Sequence, residues 1–286
     1  MIKKISVIGG DLRIVKLLEM LAKDEYEICT YGLEKIENIN SVKKCKTLQE
    51  TVQDADIVIG PIPITSDNTN VNAPFSEKII TLNELATNIK GKKIIAGSIK
   101  REFYELSNDN KIETIDLLNR EELAVLNAIS TAEGAIQIAM EETIKTIHNS
   151  NVLILGFGRI GKVLAKMLQG VGANVYCEAR KNVDLAWIRA YGYIPIHQKE
   201  IEKQIDKYDI IMNTIPSMIL DKQILKKVSK NCVIIDLASN PGGVDRQEAK
   251  KLGIKVIWAL SLPGKVAPLT SAEYIKDTIY NIFEEL

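Results

Sequence analysis

Apolar and polar positions follow one pattern in two separate stretches of this chain. In each stretch, a short run of β-branched residues leads into a glycine-rich turn and then into a segment with apolar residues at a helical period. The first stretch begins with a predicted strand at residues 4–9 and a turn at residues 9–11, followed by a helix. The second begins with a predicted strand at residues 152–156, again followed by a glycine-rich turn and a helix.

The same rhythm continues after each opening strand, with helices between most of the strands. Further strands are predicted at residues 26–31, 56–60, 93–97 and 112–115 in the first stretch, and at 174–178, 193–196, 209–213, 232–236 and 255–259 in the second. A β-α-β rhythm is satisfied by a parallel sheet with helices on both faces. The sequence therefore predicts an α/β protein with two doubly wound parallel-sheet domains, the second a Rossmann dinucleotide-binding domain.

A long helical segment separates the two stretches. Residues 120–147 carry apolar side chains at helical spacing, and the final stretch, 272–286, has an apolar stripe that needs a surface to cover. We therefore expect a flavodoxin- or Rossmann-like substrate domain at 1–122 and an interdomain helical linker at 123–149. An NAD(P)-binding Rossmann domain is expected at 150–286, with its C-terminal helix returning to the first domain.

Composition removes several classes of function. The 286 residues include 37 basic and 37 acidic ones, so no net field steers nucleic acid or an anionic membrane towards the chain. The apolar run at the N-terminus is too short for a signal peptide, and no other apolar stretch is expected to span a membrane. The four cysteines form no CxxC pair, which argues against a zinc site or a disulfide framework. We expect a cytoplasmic protein without a bound metal.

The second glycine-rich turn, GFGRIG at residues 156–161, follows a strand directly and opens a helix. The first glycine of such a turn permits its tight geometry, and the second lets backbone N–H groups approach a pyrophosphate. The third allows close helix packing, while the helix N-terminus supplies positive potential. The strands that follow in the right rhythm make this a specific signal for a dinucleotide.

The end of the next strand indicates which dinucleotide binds. An NAD-specific enzyme usually has a carboxylate there to hold the ribose 2′-hydroxyl. Counting from Gly156, that position is Ala179, and Arg180 and Lys181 follow, which suits the 2′-phosphate of NADP. A register one residue earlier would place Glu178 there and favour NAD. The sequence thus favours NADP over NAD.

Loops at the carboxyl ends of the strands supply the remaining candidate contacts, because ligands of open α/β sheets bind there. The four cations Arg13, Lys100, Arg101 and Lys265 follow strands and are expected near an interdomain cleft, where they suit a substrate with more than one carboxylate. No Ser-His-Asp or Cys-His arrangement is present, which disfavours hydrolysis. The predicted cofactor-binding residues are Gly156, Gly158, Arg159, Ile160, Gly161, Arg180, Lys181, Thr214, Pro216 and Ala238.

These features belong to a longer series of motifs. In chain order they are GGDLR at 9–13, LNA at 126–128, TAEGAIQ at 131–137, GFGRIG at 156–161, NTIP at 213–216, DLAS at 236–239, PGG at 241–243, LPG at 262–264 and VAP at 266–268. Together they resemble the A subunit family of dipicolinate synthase from spore-forming bacteria, nearly from end to end. Two residues depart from the family pattern: Ser130 replaces a proline, and Lys265 replaces an apolar residue.

The resemblance implies a reaction and a partner. The reaction is the NAD(P)-dependent oxidation of a dihydrodipicolinate, derived from 4-hydroxytetrahydrodipicolinate, to dipicolinate during sporulation, in the cytoplasm of the mother cell. The partner is a flavoprotein-like B subunit, and a flavin would take part only through that partner. The chain itself is expected to form a homo-oligomer.

Within this reaction we assign roles to five residues. Arg13 is the predicted clamp for a substrate carboxylate, with Ser98 and Lys265 as further substrate-binding residues. Asp11 and Glu133 are the predicted proton acceptors. Aromatisation supplies much of the driving force, so the site chiefly provides proximity and orientation.

Two other functions compete with this one. The first is a nucleotide-binding regulatory or scaffold subunit, with the chemistry in a flavoprotein partner. The second is an NAD(P)-dependent dehydrogenase of another small carboxylic acid. The presence of only two histidines weakens the second alternative, because hydroxy-acid dehydrogenases commonly rely on a His–carboxylate pair.

Overall fold

The computed structural model describes residues 2–37, 39 and 41–286, in which strands and helices alternate along the chain. The strands are β1 (Lys4–Ile8), β2 (Glu27–Tyr31), β3 (Lys43–Lys44), β4 (Ile57–Ile59), β5 (Lys93–Ala96), β6 (Glu113–Asp116), β7 (Asn151–Leu155), β8 (Asn174–Ala179), β9 (Ile194–His197), β10 (Ile210–Asn213), β11 (Val233–Asp236) and β12 (Lys255–Trp258).

The α-helices lie between these strands and after the last one. They are α1 (Leu12–Leu21), α2 (Leu48–Val52), α3 (Leu82–Asn88), α4 (Arg101–Asp109), α5 (Glu121–Glu142), α6 (Arg159–Gly170), α7 (Asn182–Ala190), α8 (Ile201–Gln204), α9 (Lys222–Leu225), α10 (Arg246–Lys251), α11 (Leu262–Val266) and α12 (Pro268–Glu285). Short 3₁₀ helices occur at Leu117–Asn119, Gln198–Glu200 and Ile205–Lys207.

The chain divides into two units. The first contains the residues up to Ala124 together with Ala267–Leu286, and the second contains Val125–Val266. Of the residues expected to form a separate linker at 123–149, those from Val125 onward belong to the second unit. The first unit is therefore discontinuous in sequence, and the second is continuous.

The first unit is built on a six-stranded parallel sheet with the order β3-β2-β1-β4-β5-β6. The order reverses between β1 and β4, which pair in parallel with Ile5 opposite Ile57 and Val7 opposite Ile59. A reversal of this kind leaves a crevice at the carboxyl ends of the two strands, which is where such sheets bind ligands. The Gly9-Gly10 turn follows β1 at this place.

The C-terminal helix α12 completes the core of the first unit. Its apolar stripe of Ile275, Ile279 and Ile282 is buried in the same cluster as the inner face of α1. At its end, Arg120 donates two hydrogen bonds of 2.7 Å to the carboxylate of Glu285. The first unit thus takes part of its core from the last twenty residues of the chain.

The second unit repeats the sheet order of the first. Its strands follow β12-β11-β10-β7-β8-β9, all of them parallel, and the order reverses between β7 and β10. The predicted fold class, with two doubly wound parallel sheets and a Rossmann domain in the second half, is confirmed.

Helix α5 corrects one expectation. It is long enough to cross a membrane, and an 18-residue window within it has a mean hydropathy of 1.3, although no such stretch was expected. The helix is apolar because it packs inside the protein: Ala132, Ala135 and Ala139 are buried in the core of the second unit. The core helix of a soluble domain passes the same two criteria.

Candidate functional site

The turn between β7 and α6, residues 156–161, is called the glycine turn here, and its backbone excludes larger residues at two positions. Gly156 has a φ of +93°, and a Cβ atom there would lie 2.6 Å from Thr214 Oγ1. A Cβ atom on Gly161 would lie 2.1 Å from the carbonyl oxygen of Gly156. Glycine at these two positions lets the strand, the turn and α6 approach one another closely.

Gly158 plays a different part in the same turn. It is the N-cap residue of α6, and among the described residues no side chain caps this helix. A Cβ atom on Gly158 would have no neighbouring atom within 4 Å. The space beside Gly158 is therefore open at the start of α6, the positive end of the helix dipole. This arrangement fits the pyrophosphate of a nicotinamide dinucleotide.

A cavity of about 300 Å³, called the dinucleotide cavity here, opens beside the glycine turn. At its edge β8 ends with Ala179, whose methyl group offers no carboxylate to a ribose hydroxyl. Arg180 and Lys181 follow before α7, and both are exposed. The lining residues are Gly156, Phe157, Gly158, Glu178, Ala179, Arg180, Lys181, Asp184, Gln198, Ile215, Ser217, Met218 and Ile219.

Glu178 is a fully buried carboxyl group directly beneath the glycine turn. Its Oε2 accepts a hydrogen bond of 3.1 Å from the backbone N–H of Gly156. Its Oε1 is buried and has no hydrogen-bond partner among the described residues. Burial raises the pKa of this carboxyl, against the opposing effects of the Gly156 N–H and the positive charge of Arg180.

A buried polar pair fixes the other loops at this edge of the sheet. Asn213 Nδ2 donates 2.7 Å to Asp236 Oδ1, and Asn213 Oδ1 accepts from the N–H of Ile215 at 3.0 Å. Asp236 also accepts hydrogen bonds from the N–H groups of Ala238 and Gly243, at 3.2 Å and 3.0 Å. The pair thereby holds the loops that carry Thr214, Pro216 and Ala238, three of the predicted cofactor contacts. Both residues stand in motifs named above, but sequence reasoning assigned neither of them a role.

We expect Asp236→Asn to lower the free energy of unfolding by about 3 kcal/mol, because one carboxylate oxygen that accepts buried hydrogen bonds becomes an amide N–H₂ facing donors. Chemical denaturation of the two proteins measures this difference. Asp221→Asn is the matched control: Asp221 also accepts backbone hydrogen bonds, from the start of α9, but these are exposed. A loss for Asp236→Asn no larger than that of the control contradicts the assigned role.

In the first unit, Arg13 is buried and paired with Asp11. Its Nε and Nη2 donate to the Asp11 carboxylate at 3.0 and 2.7 Å, and Nη2 also donates to the carbonyl oxygen of Ile62. The Arg13 side chain is only 8% exposed. With the described residues, Nη1 of Arg13 makes no hydrogen bond, so one edge of the guanidinium keeps its donors. The predicted clamp and one predicted proton acceptor are thus partners.

Ser98 lies on the neighbouring loop, after β5. Its φ is +51°, an unusual conformation for a residue with a side chain. Asp116 holds it there, because its two oxygens accept from the N–H groups of Ser98 and Ile99 at 2.9 and 2.8 Å. Ser98 and Arg13 approach the same segment, since Ile62 packs against Gly97, the residue before Ser98. The structure therefore brings Arg13, Asp11 and Ser98 to one edge of the first sheet.

The other predicted residues lie on or beside the helices α4, α5 and α11. Lys265, on α11, is exposed and belongs to the second unit. Glu133 is exposed on α5, in the same unit. Lys100 is exposed at the start of α4, and the exposed Arg101 pairs with Glu105 at 2.8 Å.

The turns that open the two units differ in whether they are free to bind phosphate. In the first unit, the Asp11 side chain caps α1 by accepting from the N–H of Arg13. The loop at residues 60–75 packs over the turn: a Cβ atom on Gly9 would lie 2.9 Å from Ala73 Cβ, and Gly10 donates 2.9 Å to the carbonyl of Asn72. Of these two turns, the one in the second unit is open to a dinucleotide.

Comparison with known proteins also divides the chain into two domains, each of which matches a different family model. Residues 4–118 match the N-terminal domain of the A subunit of dipicolinate synthase. Residues 116–248 match the NAD-binding domain of D-isomer specific 2-hydroxyacid dehydrogenases. Together with the relatives described next, the second match identifies the chain as an NAD(P)-dependent oxidoreductase.

Relatives cover the chain from end to end. It is 33% identical to the A subunit of dipicolinate synthase from Bacillus subtilis over 286 residues, which is 99% of this chain and 96% of the relative. The crystal structure of that B. subtilis protein matches with a TM-score of 0.90, covering 100% of this chain and 97% of the other. Shikimate dehydrogenase (NADP(+)) of Clostridium botulinum is 27% identical over 207 residues, 65% of this chain and 80% of the relative. By its end-to-end similarity and its matching N-terminal domain, the chain belongs to the A subunit family of dipicolinate synthase.

Proposed function

We propose that this chain oxidises dihydrodipicolinate to dipicolinate, with NADP as the hydride acceptor. The observation that carries the proposal is the buried Arg13 guanidinium at the carboxyl edge of the first sheet, in a chain whose second unit has an open dinucleotide turn. A planar guanidinium with a free edge suits a carboxylate, and dihydrodipicolinate carries two. The substrate derives from 4-hydroxytetrahydrodipicolinate.

The reaction removes one hydride and one proton from the substrate ring and leaves an aromatic pyridine. The nicotinamide ring of the bound cofactor supplies the hydride acceptor. Arg13 binds one substrate carboxylate through its free edge, while Asp11 and the Ile62 carbonyl hold the guanidinium in place. Ser98, locked in its unusual conformation, offers a hydroxyl group beside that segment. These contacts orient the ring rather than activate it.

The proton acceptor is assigned to Asp11 or Glu133, which differ in their surroundings. Asp11 accepts several hydrogen bonds from Arg13 and is therefore also a positioning residue for the clamp. Glu133 has no such partner in the described chain and lies exposed on α5. Lys265 stays a further predicted substrate contact.

NADP is proposed over NAD because of the residues at the rim of the dinucleotide cavity. We expect the double variant Arg180→Ala/Lys181→Ala to weaken NADP binding roughly thirtyfold and to leave NAD binding within about twofold, because only the 2′-phosphate uses both cations. Isothermal titration calorimetry with each cofactor measures both values. Lys203→Ala, at an exposed lysine on α8 that does not line the cavity, is the control. Equal losses for the two cofactors contradict the assignment.

The B. subtilis relative is named as one lettered component of its enzyme, which supports a proposed partner. We propose that the chain acts with a flavoprotein-like B subunit, as a homo-oligomer, in the cytoplasm of the mother cell during sporulation. The competing function, a nucleotide-binding scaffold for chemistry in the partner, shares the open glycine turn. It differs in predicting no turnover by the isolated chain.

The test generates 4-hydroxytetrahydrodipicolinate in situ from pyruvate and aspartate semialdehyde. The chain is then added with NADP or NAD, with and without the B subunit, against a control without enzyme for spontaneous oxidation. Terbium luminescence measures dipicolinate, and absorbance measures the reduced cofactor. Cofactor-dependent product from the chain alone supports the proposal. Product only with the partner supports the scaffold, and no product from either folded sample overturns both.

A further inference from the structure

Glu178 is a buried ionisable group that the proposed reaction does not use. It lies opposite Leu155 in the pairing of β7 with β8, and Leu155 directly precedes the glycine turn. There it lines the dinucleotide cavity and accepts a hydrogen bond from Gly156. The exposed fraction of the residue is 0%, and Oε1 has no partner among the described residues. A carboxylate in this position lacks most of the solvation that stabilises its charge.

A bound dinucleotide adds negative charge at the same turn. Its pyrophosphate is expected at the N–H groups of α6, and Gly156, which donates to Glu178, begins that turn. Two like charges in a partly desolvated site repel each other, and the repulsion favours the neutral form of the weaker acid. Since the pyrophosphate stays ionised, the group that changes is the carboxyl of Glu178.

Positive groups near Glu178 oppose this effect only in part. Arg180, on the same strand end, favours the ionised carboxyl, but it is exposed to solvent. The start of α7 contributes both Lys181 and Asp184 to the cavity. On the β9 side, Glu178 lies opposite the apolar Ile196, and His197 follows, with Nδ1 accepting from the N–H of Lys199. The loop after β10 lines the cavity with the uncharged residues Ile215, Ser217, Met218 and Ile219.

We propose that Glu178 is a cofactor-site residue whose carboxylate takes up a proton from solvent when the dinucleotide phosphates occupy the glycine turn. This inference rests on the proposed use of a nicotinamide dinucleotide. The bound complex holds the proton more tightly than the free protein, so binding and protonation favour each other. Cofactor affinity is therefore full below the pKa of Glu178 in the free protein. It falls as the pH rises towards the pKa in the complex.

The test is calorimetric titration of the full chain with NAD, in buffers of different ionisation enthalpy, from about pH 5 to about pH 8.5. NAD is the probe because it lacks the 2′-phosphate, which itself titrates at about pH 6. We expect the unmodified chain to take up protons on binding, and its Kd to rise about tenfold across this range. Glu178→Gln keeps a side-chain oxygen for Gly156 but carries no charge. It is expected to take up no proton and to bind NAD about tenfold more tightly than the unmodified chain at the alkaline end.

Glu248→Gln is the matched control, since Glu248 is a buried carboxyl of the same unit that pairs with Lys222 and Lys251 and does not line the cavity. It is expected to keep the proton uptake of the unmodified chain. Uptake that persists in Glu178→Gln, or that is lost in Glu248→Gln, overturns the assignment to Glu178. If Glu178→Gln does not fold, infrared difference spectra of the unmodified chain decide: a new protonated-carboxyl band on NAD binding supports the inference, and its absence overturns it.

The two levels of the proposal fail in different ways. If the unmodified chain binds neither NAD nor NADP at any pH, the proposed function and the inference are both overturned. If it binds either cofactor without net proton uptake by a carboxyl, the inference alone is overturned, and the assignment of a nicotinamide dinucleotide stands.

Discussion

Arg13→Ala is expected to raise the KM for dihydrodipicolinate roughly a hundredfold, because removing a charged hydrogen-bonding partner costs about 3 kcal/mol. The loss comes from two sources. The substrate carboxylate loses the free edge of the guanidinium, and Asp11 loses the cation that neutralises it. The Kd for NADP is expected to stay within about twofold, since the cofactor site lies in the other unit and uses other residues. Steady-state kinetics and cofactor titration measure the two effects separately.

Two further variants test whether the geometry of the Arg13 cation and its position matter. Arg13→Lys keeps the charge but loses the planar fork, so an intermediate KM is expected. Arg101→Ala removes a cation whose side chain is 88% exposed and paired with Glu105, and it is expected to change nothing. An unchanged KM in a folded Arg13→Ala protein removes Arg13 from the substrate site.

The second large effect is expected at the glycine turn. Gly158→Ala should weaken binding of NADP and NAD at least about tenfold while leaving the melting temperature nearly unchanged. The added methyl group meets no protein atom within 4 Å, so the fold tolerates it, but it occupies the space through which the pyrophosphate approaches. Thermal unfolding without cofactor and calorimetric titration with it measure the two quantities.

Gly161→Ala and Gly170→Ala bracket this result. The Cβ atom of the first would lie 2.1 Å from the Gly156 carbonyl oxygen, so both folding and cofactor binding should suffer, by about 3 kcal/mol of stability or more. The second, near the end of α6, also meets nothing within 4 Å and lies outside the turn, so binding should be unaffected. Equal cofactor affinity for Gly158→Ala and the unmodified chain contradicts an open phosphate site.

The architecture and the glycine turn were predictable because they depend on local sequence. Strand, glycine turn and helix follow one another within a few residues. Gly156 and Gly161 have steric reasons within the protein, whereas a Cβ atom on Gly158 would meet nothing within 4 Å. Local sequence does not indicate contacts between segments that are far apart in the chain. Nothing near Asn213 in sequence indicates that its side chain bonds to Asp236, and nothing near Ser98 indicates that Asp116 holds it.

The pairing of Asp11 with Arg13 shows a different limit. The two residues are neighbours in sequence, and both were predicted to act on the substrate. Helix capping by Asp11 turns its carboxylate towards the Arg13 backbone and guanidinium. Whether a charged side chain faces a ligand or another side chain depends on these directions, which composition and spacing do not carry. Glu178 shows the same limit for a buried residue. Its position beside the glycine turn depends on the register of β8 against β7, which places it opposite Leu155.

The position of α12 in the sequence determines which of the two units is synthesised completely first. The second unit is one unbroken segment, whereas the first waits for the final helix, which supplies Ile275, Ile279 and Ile282 to its core. During synthesis those residues are made after the whole of the second unit. The half that holds the dinucleotide turn thus has all its residues before the half that holds Arg13. Until α12 has been made, the apolar face of α1 that packs in the same cluster stays uncovered.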